Sequence, residues 1–289
     1  MKEIPAIKDI WFSAPDGLKL HALAATAGRN KIPAVCLPGI SRTAEDFRTL
    51  LLALAKATHA RRAFALDSRG RGLSERGNPE TYSVPVELAD LIAFLNAQNI
   101  ERAIFVGTSR GGILTMALAS IMPQRIAGAI LNDVGPVLDM AGLLRIKSYV
   151  GKLPPPRSWQ EAVEALKSAM VEQFPAFTEQ DWESYARRTW DERLKPRSDP
   201  AISAAFDAID AAHPPPALWP QFEALSAAAP ILVLRGEHSD LLSRETLAEM
   251  QRRAPLLQTI EIPGQGHAPA LERAETIEPI LRFIARCDP

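Results

Sequence analysis

A chain of 289 residues is long enough to bury one large core, or one core with an inserted subdomain. Its residues are 47% hydrophobic and 23% charged, and 33 Lys+Arg nearly cancel 34 Asp+Glu, so no basic excess points to nucleic acid or an anionic membrane surface. No apolar run reaches transmembrane length, and Met1-Lys2-Glu3-Ile4-Pro5 does not open a signal peptide. Two cysteines, Cys36 and Cys287, make no disulfide framework, so the expectation is a cytoplasmic protein without a membrane partner.

In chain order, Ile7–Phe12 and Leu18–Leu23 are β-like runs around the turn residues Ala14-Pro15-Asp16-Gly17, which predicts an antiparallel hairpin. Alternating units follow. Ala34–Leu37 reads as a buried strand, Thr43–Lys56 as a helix, Ala63–Leu66 as a strand, and Val86–Gln98 as a helix with Leu88, Leu91, Ile92 and Leu95 on one face. Ala103–Val106 and Ala129–Leu131 are further strands, separated by a helix over Ile113–Ile121. Such alternation predicts a mostly parallel sheet with helices on both faces.

From about Val137 to Ala229 no strand is legible. Helical segments broken by Pro154-Pro155-Pro156 and Pro214-Pro215-Pro216 carry Trp159, Trp182, Trp190 and Trp219. A stretch this long inside a strand–helix series reads as an inserted helical cap over 137–229, leaving 1–136 and 230–289 as the core. The alternation resumes with Pro230–Gly236, a helix over Ser243–Arg253, a strand over Gln258–Ile262 and a last helix over Glu275–Arg286.

The stretch Gly107-Thr108-Ser109-Arg110-Gly111 fits G-x-S-x-G between a strand and a helix, where a sharp turn exposes a serine hydroxyl at the sheet edge. A serine hydroxyl is a poor nucleophile near neutral pH and needs a histidine to take its proton. His267, in Pro263-Gly264-Gln265-Gly266-His267, follows the last strand and can supply it, whereas His21, His59, His213 and His238 have no such setting. Five histidines without H-E-x-x-H or paired C-x-x-C predict no metal and no cofactor. The glycines of Gly70-Arg71-Gly72-Leu73-Ser74-Glu75 fail the dinucleotide-binding pattern at its last position.

Four motifs, in order, resemble those of the α/β-hydrolase superfamily over essentially the whole chain. They are Leu37-Pro38-Gly39-Ile40, where that family has H-G-x-x, Asp67-Ser68-Arg69-Gly70-Arg71-Gly72-Leu73-Ser74, the serine turn, and Gly264-Gln265-Gly266-His267. Pro38 replaces the usual histidine, but the glycine is kept. The resemblance implies an oxyanion hole made by the backbone N–H groups of Ile40 and Arg110. It leaves two positions for the triad acid. Asp133, in Leu131-Asn132-Asp133, is preferred. Asp240 is the alternative, one residue late in Gly236-Glu237-His238-Ser239-Asp240, where the usual spacing would put Ser239.

The fold class expected is therefore an α/β-hydrolase with a helical cap. The activity expected is serine hydrolysis through an acyl-enzyme, on carboxylic esters of small to medium size. Cleavage of a C–C bond, lactone or amide, or a non-catalytic small-molecule receptor, are the alternatives; Ser109 counts against epoxide hydrolases and haloalkane dehalogenases, which use an aspartate nucleophile. The partner expected is a small-molecule substrate, for a monomer or homodimer. Arg42 is a candidate for an anionic substrate group, otherwise a solvent-facing arginine, and Arg145 or Arg157 could act alike from the cap. Trp159, Trp182, Tyr185 and Trp190 are candidates to line the pocket, otherwise cap core.

Overall fold

The computed structural model describes residues 6–26, 28, 31–56, 60–210 and 212–288; the opening Met1–Pro5 and His59 lie outside them. Strands β1 (Ile7–Ser13) and β2 (Lys19–Ala25) form the antiparallel hairpin, with Gly17 at φ 91° in its turn. Six more strands follow: β3 (Ala34–Leu37), β4 (Ala63–Leu66), β5 (Ala103–Thr108), β6 (Ile126–Asn132), β7 (Ile231–Gly236) and β8 (Gln258–Ile262). Their order is β1-β2-β4-β3-β5-β6-β7-β8, with every pair from β4 onward parallel.

The central strands are continuous apolar runs because both faces are covered. Period-two alternation sends Val35, Phe105, Leu131 and Val233 to one face and Cys36, Val106, Ile130, Leu232 and Leu234 to the other. The first face packs on α2 (Val84–Ala97), α3 (Arg110–Ile121), α7 (Trp219–Ala228) and α8 (Arg244–Arg253) through Leu91, Leu118, Leu225 and Met250. The second packs on α1 (Arg48–Lys56) and α9 (Ala274–Arg286) through Leu50, Leu54, Ile280 and Ile284. The helix expected from Thr43 begins instead as a tight 3-10 turn, Ala44–Phe47, and becomes α-helical at Arg48.

Between β6 and β7 lie α4 (Met140–Tyr149), α5 (Trp159–Met170), α6 (Glu179–Thr189) and a 3-10 segment, Pro200–Phe206. Side-chain caps start them: Asp139 for α4, Ser158 for α5 and a reciprocal Thr178–Asp181 box for α6. One small core joins Leu143, Ile146 and Val150 to Ile202 and Phe206, and another joins α5 to α6 through Leu166, Phe174, Trp182 and Trp190. The last stretch of the sequence-defined cap is different. Phe222 and Leu225 of α7 are buried in the sheet layer with residues of α3, so the segment over the sheet ends before Trp219 and α7 is part of the core layer.

Candidate active site

Ser109 sits at the tip of the β5–α3 turn with φ 50° and ψ −115°, a region that side chains other than hydrogen rarely occupy. The turn closes because its neighbours lack side chains. A Cβ on Gly107 would lie 2.5 Å from the Gly111 carbonyl carbon, and one on Gly111 would lie 2.0 Å from the Leu37 carbonyl oxygen. Strand β5, helix α3 and the end of β3 are thereby pressed together, and the Ser109 hydroxyl is left at the C-terminal edge of the sheet.

His267, in the loop after β8, reaches the same edge. Its Nε2 lies 3.0 Å from Ser109 Oγ and its Nδ1 lies 2.8 Å from Asp133 Oδ2. Asp133, just past the end of β6, is fully buried. Its carboxylate also accepts the Gly236 N–H at 2.8 Å and the Ser239 hydroxyl at 2.6 Å. With an acceptor on Nδ1, the imidazole carries its proton there and presents the Nε2 lone pair to the serine. Asp240 turns away: it holds Arg145 of α4 through two bonds of 2.5 and 2.8 Å. Ser239, at the position where the usual spacing puts an acid, thus braces an acid that comes from the neighbouring strand.

Neither the Ile40 nor the Arg110 N–H has a hydrogen-bond acceptor among the described residues, so both are free to donate to a ligand. Asp67 and Arg69 serve the loop itself. Asp67 accepts the N–H groups of Ala44 and Leu73, and Arg69 is paired with Asp90 and Asp16. His21 is buried between Asp67 and Asp9, at 2.7 and 3.0 Å. Burial alone would lower its pKa, but the two carboxylates outweigh that and raise it.

Two cavities meet at Ser109. One, of ≈ 80 Å³, is lined by His267, Arg42, Asp46, Tyr149, Tyr185, Arg188 and Glu272 together with Gly39 and Ile40. The other, of ≈ 230 Å³, is lined by Ile40, Arg110, Ile113, Leu138, Leu143, Ile146, Phe206, Ile209 and Leu218, and does not touch His267. The first mixes these charged and polar groups with Ile146, Val150 and Leu271 and is the more polar of the two; the second is apolar. Arg42 is not solvent-facing: it is 13% exposed, stacks 4.1 Å from the Tyr185 ring centroid and holds Asp46 through two bonds of 2.6 and 2.7 Å. Arg188 of α6, which sequence analysis passed over, joins it by bonding Asp46 at 3.0 Å and pairing with Glu272. Burial pushes the Tyr149 phenol up to about 12, so it stays a neutral donor.

Among the aromatic candidates, Tyr185 lines the polar cavity, and Trp190 lines a smaller one of ≈ 60 Å³ beside it under the cap. Trp159 and Trp182 line neither chamber at Ser109. Trp182 is 2% exposed and packs edge-on against Phe174 and Phe177, while Trp159 lies under Arg187 at the flank of the same cluster. Large rings on the facing sides of two short helices are consumed by the cap's own core. Arg157 is 91% exposed and Arg145 is held by Asp240, so neither lines the polar chamber.

The arrangement has clear relatives. A 3-hydroxybutyrate-oligomer hydrolase of Cupriavidus necator is 33% identical over 252 residues, 81% of this chain and 82% of that one. A 2-(acetamidomethylene)succinate hydrolase of Mesorhizobium japonicum is 28% identical over 85% of each chain. The crystal structure of an alpha/beta hydrolase from Novosphingobium aromaticivorans superimposes with a TM-score of 0.89 at 38% identity, covering 98% of this chain and all of that one. The model of the Alpha/beta hydrolase family matches residues 34–279, from β3 into the first half of α9. Its span takes in the serine turn, both candidate acids and His267, and with the sheet order and these relatives it shows that the chain belongs to the alpha/beta hydrolase family, as a hydrolase.

Proposed function

We propose that the protein is a serine hydrolase of carboxylic esters, with Ser109, His267 and Asp133 as its triad. The observation that carries the reading is the imidazole of His267 lying between Ser109 Oγ at 3.0 Å and buried Asp133 at 2.8 Å, above two open cavities. His267 takes the Ser109 proton as the hydroxyl attacks the ester carbonyl. The oxyanion is received by the Ile40 and Arg110 N–H groups, and the imidazolium is held by Asp133. The same proton then passes from Nε2 to the departing alkoxide, and water repeats the sequence on the acyl-enzyme.

That proton delivery orients the substrate. The leaving oxygen must lie on the His267 side, which assigns the alcohol part to the polar chamber and the acyl part to the apolar one. An alcohol part bearing a carboxylate would meet the guanidinium of Arg188 and the phenols of Tyr149 and Tyr185. Esters of short hydroxy acids have this form, and the relative described as a 3-hydroxybutyrate-oligomer hydrolase supports the choice.

The test is steady-state hydrolysis of p-nitrophenyl butyrate and of 3-hydroxybutyrate dimer by the parent protein and by Ser109→Ala. Both esters are expected to turn over in the parent and in neither case with the variant. Turnover that survives the substitution, or a parent inert toward both esters, defeats the reading.

A further inference from the structure

The two proposed oxyanion donors come from different parts of the chain, Ile40 after β3 and Arg110 at the start of α3, and one buried carboxylate lies behind both. Glu87 of α2 is 3% exposed. Its Oε2 accepts Arg110 Nε at 2.9 Å, and its Oε1 lies 3.0 Å from Arg71 Nη1. Arg71, 1% exposed, donates from Nε to the Ile40 carbonyl at 2.7 Å and from Nη1 to the Arg69 carbonyl at 2.6 Å. Its remaining nitrogen, Nη2, is buried with no hydrogen-bond partner among the described residues, and Glu87 Oε1 meets Arg71 as an ion pair without a hydrogen bond, so the guanidinium is not placed to satisfy its own donors. Burying an arginine with an unmet donor is costly, and a surface-stabilising role does not call for it. What the placement achieves is a chain of contacts from Ile40 to Arg110, hydrogen-bonded at its two ends and joined in the middle by the Arg71–Glu87 ion pair at 3.0 Å.

We propose that Glu87 is a positioning residue for the oxyanion hole: by bridging Arg71, which holds the Ile40 carbonyl, and Arg110, whose own amide is a donor, it sets the spacing of the two hole N–H groups. The link also sums to one positive charge beside the place where negative charge develops. The loop that carries Arg71 is anchored to the cap, through Gly72 N–H to the Arg197 carbonyl and Asp199 N–H to the Gly70 carbonyl, both at 2.7 Å. The inference rests on the ester-hydrolase reading of Ser109.

Glu87→Gln keeps the side-chain shape and removes the charge and one acceptor. With p-nitrophenyl butyrate, kcat per active site is expected to fall ~10–100-fold while KM stays within about twofold. The inhibition constant of a trifluoromethyl ketone, which forms a tetrahedral oxyanion on the serine, is expected to rise by the same factor. Active sites are counted by titration with a fluorophosphonate, so a purely structural brace would lower the count and leave both per-site quantities unchanged. If Glu87→Gln does not fold, Arg110→Gln removes only the more exposed arm and is expected to move both quantities together by ~3–10-fold. Unchanged kcat per site and unchanged ketone affinity in the folded variant overturn the inference. Ser109→Ala separates the two readings. Turnover persisting there overturns the ester-hydrolase assignment, whereas an inert Ser109→Ala beside a fully active Glu87→Gln overturns only the positioning role.

Discussion

Asp133 carries three donors on two oxygens: Gly236 N–H on one, the Ser239 hydroxyl and the imidazole Nδ1 on the other. That environment suits a carboxylate, which only accepts, and is hostile to an amide, which must turn its NH2 toward one of those donors. In Asp133→Asn the histidine loses either its tautomer or its orientation, and kcat for p-nitrophenyl butyrate is expected to fall by up to ~10⁴-fold. Asp240→Asn weakens one partly exposed pair with Arg145 at the base of the cap, and its effect should stay within about threefold. The two kcat values, measured side by side, decide the acid; the opposite ranking would move it to the loop after β7. From sequence the two aspartates were hard to separate, because β6 and β7 are neighbouring parallel strands, paired as Asn132 with Leu234, and both end at the same edge. Only the direction of the two side chains distinguishes them. Ser239 held the hint, since a hydroxyl stands where an acid is usual, but its meaning depends on a partner 106 positions away.

The strand–turn–helix around Ser109 was legible for the opposite reason. Its requirements are backbone requirements, confined to a few consecutive residues, and small neighbours at fixed spacing are what such a turn must have. The hairpin and the β/α alternation were legible likewise, as local periodicity. The strain at the turn has a measurable consequence. At φ 50° and ψ −115° the Ser109 backbone costs on the order of 1–3 kcal/mol, which glycine would relieve, offset by ~0.5–1 kcal/mol of extra chain entropy in the unfolded state. Ser109→Gly should therefore abolish the proposed hydrolysis of p-nitrophenyl butyrate and yet raise stability by about 1 kcal/mol, a rise in Tm of roughly 2–4 °C. A glycine variant that melts below the parent would show that the Ser109 side chain contributes more to the fold than its backbone takes away.

Across the whole molecule, the cap and core meet in charge pairs that no local pattern announces. Arg42 and Arg188 are 146 positions apart in sequence, yet both bond Asp46, and Arg188 also pairs with Glu272 in the loop after His267. Arg187 and Arg188 follow one another at the end of a helix, where two arginines ordinarily read as a solvated terminus. The fold sends the first toward Trp159 and the second, 11% exposed, into the polar chamber. For Trp182 the two readings, pocket wall or cap core, were open from sequence, and the fold takes the second, because its ring is packed within the cluster of α5 and α6. Arg188 lines the chamber to which the alcohol part of the proposed substrate is assigned, and among the described residues its bonds to Asp46, Ser184 and Glu272 use Nε and Nη1 and leave Nη2 without a partner. A carboxylate there gains a charge-assisted bond that its methyl ester cannot make, worth about 1.5–3 kcal/mol, or roughly 10–100-fold in kcat/KM. The measurement is the ratio of kcat/KM for the butyrate ester of 3-hydroxybutyrate to that for the methyl ester of the same compound. The parent ratio should reach ~10 or more, and in Arg188→Gln it should collapse toward one whatever the absolute rates, because a loosened cap slows both substrates alike. A ratio that survives the substitution would assign charge recognition to Arg42 instead, and a parent ratio near one would show that the chamber selects its alcohol by shape.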